Sequence, residues 1–222
     1  MRLILIAILL IITMPLPAIS DACRYHISKL IGSHENYIMD YRSGSLESHE
    51  IEYVKSYWRH VQNIYGGRLN LADKEIESFV ESSMDLVDRT ILITNQKQDK
   101  DVFDGGVALV YSKNISEPLP FEKATGLSFP RDGVALEITR LTADHARDKL
   151  LARELLATIA KILEKEDTVG TMYAFTSKKH AILYKRSRIP HKEYKVSDRD
   201  VVLVFSTKDY IKAFLHTMKR KF

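Results

Sequence analysis

Hydrophobic and polar positions change rhythm several times along this chain, and each change marks an element. Leu3 to Ile12 is an unbroken apolar run behind a single base, Arg2. Residues 21–48 are polar and mixed, with no clear period. From Ser48, a suitable N-cap, apolar positions recur at 51, 54, 57, 58, 61, 64 and 65. That is the spacing of one helix face, and Gly66-Gly67 stop it. A second, acidic helix is expected over 72–84.

The period then shortens to two. "RTILITNQ" (89–96) and "GGVALVYSK" (105–113) read as strands joined by a hairpin connection. Residues 116–133 hold three of the six prolines and read as a long ordered loop. "GVALEITRL" (133–141) is a third strand. The clearest helix spans 144–167, with Leu150, Leu151, Leu155, Ile159 and Ile162/Leu163 on one face and Gly170 beyond its end. A strand over 171–177, a short helix over 178–187, a strand over 201–207 and a terminal amphipathic helix complete the order. The pattern predicts an α+β fold: a single mixed central sheet flanked by helices. One domain is expected over 49–222, behind a polar leader (21–48) and an amino-terminal segment (1–20).

The amino-terminal apolar run is short for a spanning helix, which needs about 20 apolar residues. Its length suits the core of a signal peptide, and Ala18-Ile19-Ser20 place small residues ahead of a cut before Asp21. A cleaved signal peptide, an uncleaved membrane anchor and a buried helix are the three readings, the first favoured. Each of the first two puts the protein at the cell envelope, on an unspecified side of the membrane.

Composition changes this picture little. At 222 residues, 45% hydrophobic and 28% charged, the chain is an ordinary globular protein. The single cysteine, Cys23, excludes an intrachain disulfide and a thiolate zinc site. His60, His145, His180 and His191 match no metal spacing, so no metal is expected.

The net charge of +4 is unevenly placed. Between Lys178 and Arg199 eight bases face two acids, Glu193 and Asp198. Such a patch suits an acidic partner, or is a solvated face. Aromatic residues are sparse within it, which argues against nucleic acid.

The unusual stretch is "ALEITRL" (135–141), a buried-strand pattern interrupted by Glu137 and Arg140. Alternation puts Glu137 and Thr139 on one face, and Leu136, Ile138 and Arg140 on the other. A polar cleft must therefore border the strand, and a desolvated carboxylate there gains basicity. The plainer alternative is a structural ion pair or an edge strand with one wet face.

These residues sit in a recognisable series. "LPFEKATGL" precedes "EITR", and "TMYAFTSKKHAILYKRS" follows the long helix. In this order they resemble the acyl-homoserine-lactone synthases and the related N-acyl amino acid synthases, over roughly 50–210. The resemblance implies a GNAT-like acyltransferase fold and transfer of a fatty acyl group from a thioester to an amine or amino acid. It implies Glu137 as general base, Thr139 as a positioning hydroxyl, and Arg140 holding a carboxylate or orienting Glu137. Backbone N–H groups at a bulge in this strand would stabilise the oxyanion. Trp58, Arg59, Phe121, Thr176 and Ser177 are the implied substrate-binding residues. Lys178, Lys179, Lys185, Arg186 and Arg188 form the implied carrier-protein patch. The family's acidic-aromatic motif is blurred, with Glu81, Asp85 and Asp88 off the usual spacing, so lactone formation is not implied.

No cofactor is expected beyond the acyl thioester. The junction "LTADHARDKLLAREL" has no glycine and carries Asp144 and Asp148, unlike a loop that cradles the pyrophosphate of coenzyme A. An acyl carrier protein is thus the expected donor. The alternative function is a catalytically degenerate lipid- or partner-binding domain of the same fold, exported or membrane-anchored.

Overall fold

The computed structural model describes residues 26–29, 34–42, 44, 46–66, 73–97, 103–131, 133–143, 151–166 and 168–219. The amino-terminal segment, Cys23 and the 144–150 junction lie outside the described residues.

Among the described residues, eight strands form one mixed sheet: β1 (His26–Lys29), β2 (His34–Asp40), β3 (Thr90–Lys97), β4 (Phe103–Tyr111), β5 (Val134–Ala143), β6 (Val169–Ser177), β7 (His191–Lys195) and β8 (Asp200–Ser206). Their spatial order is β1-β2-β3-β4-β5-β6-β8-β7. All neighbours are antiparallel except β5 and β6. The helices are α1 (Ser48–Gly66), α2 (Asp73–Met84), α3 (Pro120–Thr125), α4 (Leu151–Leu163), α5 (Lys178–Arg186) and α6 (Thr207–Lys219). The expected α+β architecture is present.

Four elements were not legible in the hydrophobic pattern. The residues read as a polar leader supply β1 and β2, which extend the sheet rather than precede it. The proline-rich loop contains α3, and the basic stretch after α5 contains β7. The reason is common to β1 and β7: they are the two edge strands, where charged side chains are favoured and alternation is weak. α3 has only six residues, too few to show a period.

Strand alternation divides the core. Ile91, Ile93, Leu109, Leu136, Ile138, Met172 and Leu203 face α4, α5 and α6. Leu92 and Ala108 face α1 and α2, with Tyr57, Trp58 and Val80. On the same side, Ala135, Tyr173 and Val202 pack under Phe121 of α3.

Two features of the sheet create a site. First, β5 and β6 pair only as far as Glu137 with Tyr173. Beyond that point β5 stays on β4 and β6 stays on β8, so a wedge opens between them. Second, β5 is bulged. Thr139 pairs with Ala108 and Thr142 with Gly106, so Arg140 and Leu141 together oppose Val107. Arg140 takes the left-handed conformation, φ 54°.

Gly106 lets α1 approach this bulge. A Cβ there would lie 2.6 Å from Tyr57 Cε2 and 2.7 Å from the Ile93 carbonyl. Gly106→Ala is therefore expected to cost about 1–3 kcal/mol as an overpacking change. Thermal unfolding would read it as a fall of several degrees. An unchanged melting temperature would contradict the close approach.

Candidate active site

Glu137 sits where β5 and β6 part, at the edge of the site. It is 2% exposed, and Phe121 N–H donates to its Oε2 at 2.8 Å. Burial pushes its carboxyl up to about 7. The Phe121 N–H, the Arg140 guanidinium and the Thr139 hydroxyl pull the other way, and nearby Glu122 adds to the rise. A carboxyl so placed exchanges a proton near neutral pH.

Arg140 lies on the Glu137 face, not on the opposite one as simple alternation implies. The bulge inserts one residue and turns its side chain toward α1 and α2. Its guanidinium sits 4.7 Å from the Trp58 ring centroid and 5.0 Å from that of Phe79. Nη2 donates to Ser83 Oγ at 2.9 Å. Its Nε and the Trp58 Nε1 are buried donors with no acceptor among the described residues.

The contrast with the other enclosed arginines is informative. Arg42 binds Asp40 and Glu166, Arg89 binds Glu117, and Arg131 binds Glu122. Among the described residues, Arg140 has no carboxylate within ion-pair distance. Burial accordingly lowers its proton affinity, with Glu137 and Tyr57 opposing that shift.

Two tyrosines of α1 hold the bulge. Tyr57 donates to the Arg140 carbonyl at 2.9 Å, and Tyr65 donates to the Leu141 carbonyl at 2.6 Å. Burial keeps the Tyr57 phenol protonated.

The wedge is a cleft of about 80 Å3, enough for several waters. Thr139 and Arg140 line one wall, and Phe175 and Thr176 the other. Tyr65, His180, Leu183 and Tyr184 are among the other lining residues, whereas Glu137 lies behind Thr139 and does not line the cleft itself.

The sequence-derived candidates separate into groups. Glu137, Thr139, Arg140, Trp58 and Phe121 come together, and Thr176 faces the cleft. Phe121 contributes through its backbone N–H as well as its ring. Arg59 does not join them: its guanidinium reaches solvent-exposed Glu77 on α2, at 2.8 Å. Ser177 is the N-cap of α5, its Oγ accepting from His180 N–H at 3.2 Å. Lys178, Lys179, Lys185, Arg186 and Arg188 are all exposed, with Lys185 paired to Glu193 at 2.6 Å. Arg188 turns the chain at φ 55°, a conformation more often taken by glycine.

Sequence reasoning missed Tyr57, Tyr65, Ser83 and the Glu122–Arg131 pair. Only Glu122 left a local signal. "LPFE" places Pro at N1 and an acid at N3, the start of a capped helix.

No known family model and no curated protein matches the sequence. Solved structures do. An N-acyl amino acid synthase from uncultured soil microbes, FeeM, superposes with a TM-score of 0.52 at 13% identity, covering 83% of this chain and 97% of that one. A CoA-dependent acyl-homoserine lactone synthase, BjaI, solved with SAM and isopentyl-CoA, gives 0.53 at 13% identity, covering 76% and 82%. A nucleotide-linked sugar GNAT, FdhC, gives 0.50 at 11% identity, covering 82% and 93%. The chain therefore has the GNAT-like acyltransferase fold.

Proposed function

We propose that this protein is an N-acyltransferase that moves a fatty acyl group from a thioester to an amine or amino acid. The observation that carries the reading is Glu137: a buried carboxyl poised near neutrality, on a bulged strand, where the sheet splits. In the proposed reaction the acceptor nitrogen attacks the thioester carbonyl and Glu137 takes the amine proton. A C–N bond forms, the C–S bond breaks, and the thiolate leaves and is protonated. Thr139 holds a water or the acceptor. The backbone N–H that a bulge leaves outside the ladder is the donor assigned to the oxyanion. Arg140 receives an acceptor carboxylate, since none of the described residues offers it one.

The donor we assign is an acyl carrier protein. The exposed bases at 178, 179, 185, 186 and 188 would attract its acidic surface. Replacing Lys178, Lys179 and Arg186 by Glu is expected to lower kcat/KM for a carrier thioester about tenfold or more at low salt, with the difference shrinking as salt rises. A loss independent of ionic strength would argue against the patch.

The reading also places the domain at the membrane, on the side where carriers are charged, with the amino-terminal segment kept as an anchor. The mature amino terminus tests this. A start at Asp21 would favour a donor other than a cytoplasmic carrier.

The function itself is tested by mass spectrometry of lipids from cells expressing the full chain or Glu137→Gln. A long-chain N-acyl amine made only by the wild type is the expected result. Identical lipids, with both proteins folded, would favour a binding domain without turnover.

A further inference from the structure

The segment that covers Glu137 is closed by a buried charge pair. Glu122 Oε2 accepts the Leu119 N–H at 2.8 Å, and Oε1 accepts the Phe129 N–H at 3.3 Å. The Arg131 guanidinium bonds the same carboxylate and also donates to the Glu117 carbonyl, at 3.0 Å. The side chains of Arg131 and Glu122 are only 5% and 4% exposed. Glu117 is held in turn by buried Arg89, at 2.9 Å.

An ion pair removed from water is a costly way to close a surface loop, because desolvation offsets most of its attraction. An apolar contact would close the loop as well. What the pair adds is direction. The Glu122 carboxylate fixes both ends of α3, from the Leu119 N–H before it to the Phe129 N–H after it. Between them the Phe121 N–H points at Glu137 Oε2.

We propose that the Glu122–Arg131 pair is the positioning element of the site: it orients the first turn of α3 so that the Phe121 N–H stays on Glu137 and holds that carboxyl in place. The positioning stands on the hydrogen bonds alone. Its kinetic consequence rests on Glu137 as the base.

The groups that face Glu137 are few. Its own strand supplies Thr139 and Arg140, α3 supplies the Phe121 N–H and Glu122, and Tyr173 lies opposite on β6. α1 contributes Tyr57, which acts on Arg140. Glu122 can influence Glu137 in two ways of opposite sign. As a bare charge it raises the proton affinity of Glu137, so its removal would lower it. As a positioning residue it keeps an N–H on the carboxylate, so its removal would raise it.

Amide NMR of the full chain in detergent, labelled with 15N-phenylalanine, separates the two. The chain has eight phenylalanines, and the Phe121 signal is assigned by its loss in Phe121→Leu. In the wild type this amide is expected to shift with pH around neutrality, and in Glu137→Gln that step should vanish. In Glu122→Gln the step should move to higher pH by about one unit, the worth of one charge-assisted hydrogen bond, or disappear. Arg131→Lys keeps the charge but loses the fork that spans Glu122 and Glu117, and should move the step the same way.

A wild-type Phe121 amide that does not titrate would overturn the proposal, whatever the fate of the variants. So would a step that moves to lower pH in Glu122→Gln. If the titrations behave as expected but Glu137→Gln still transfers acyl groups, the positioning stands and the assignment of Glu137 as base falls.

Discussion

Glu137→Gln is expected to abolish acyl transfer and, above neutral pH, to be more stable than the wild type. Gln keeps the shape and still accepts from the Phe121 N–H, now 2.8 Å from Glu137 Oε2. It has no basicity, and a positioned general base contributes about 100- to 10,000-fold to rate. The stability change has a definite sign. Burial raises the Glu137 carboxyl from 4.5 to about 7 on folding. Below 4.5 the folded and unfolded states are both protonated, and the group contributes nothing. Between 4.5 and 7 the unfolded chain gives up the proton first, so wild-type stability falls as pH rises. Above 7 the whole cost is present, about 3 kcal/mol by linkage. The substitution removes it. Unfolding of both proteins at pH 4 and pH 8 checks this: near-equal stability at pH 4 and a more stable variant at pH 8 are expected. A variant less stable at pH 8 would show that Glu137 is ionised and well paired in the fold.

The second large effect is expected at Arg140. Arg140→Met keeps an apolar stem beside the Trp58 and Phe79 rings and removes a buried cation that has no carboxylate among the described residues. Stability should therefore change little. Arg131→Met is the contrast: it strands buried Glu122 and should cost about 3–5 kcal/mol. The functional outcome runs the other way. Arg140→Met is expected to lower kcat/KM on the order of 100-fold for an amino acid acceptor, the worth of charge-assisted hydrogen bonds to a carboxylate. An uncharged amine should lose much less. Removing the cation also removes a pull that favours the Glu137 anion, so the acid limb of the pH–rate profile should move upward. Equal losses for charged and uncharged acceptors would show that Arg140 only orients Glu137.

These effects depend on facts of different legibility. The helices over 48–66 and 151–163 follow from apolar spacing, because a helix that covers a sheet must bury one stripe. β3, β4, β5, β6 and β8 follow from period two, and so does the mixed sheet. Glu137 and Arg140 announced themselves by breaking that period, since a buried strand carries charge at a cost that needs a cause. The local capping of α3 was also written in "LPFE", although a six-residue helix is too short for periodicity to reveal.

What the sequence could not contain was which residues meet. A single bulge put Arg140 on the Glu137 face, and one inserted residue reverses every prediction made by alternation beyond it. Tyr57 and Arg140 are 83 residues apart, and Arg42 and Glu166 are 124 apart. Arg59, adjacent to Trp58, turned outward to Glu77, because neighbours on a helix point in different directions. The sequence by itself determined the long helices, the five inner strands β3, β4, β5, β6 and β8, and the two charged residues that mark the site. Only the tertiary structure decided that Glu137 is desolvated, that Arg140 meets Ser83 and no carboxylate among the described residues, and that Glu122 and Arg131 bind each other. Desolvation and pairing are properties of surroundings, and those are assembled from segments that sequence spacing does not relate.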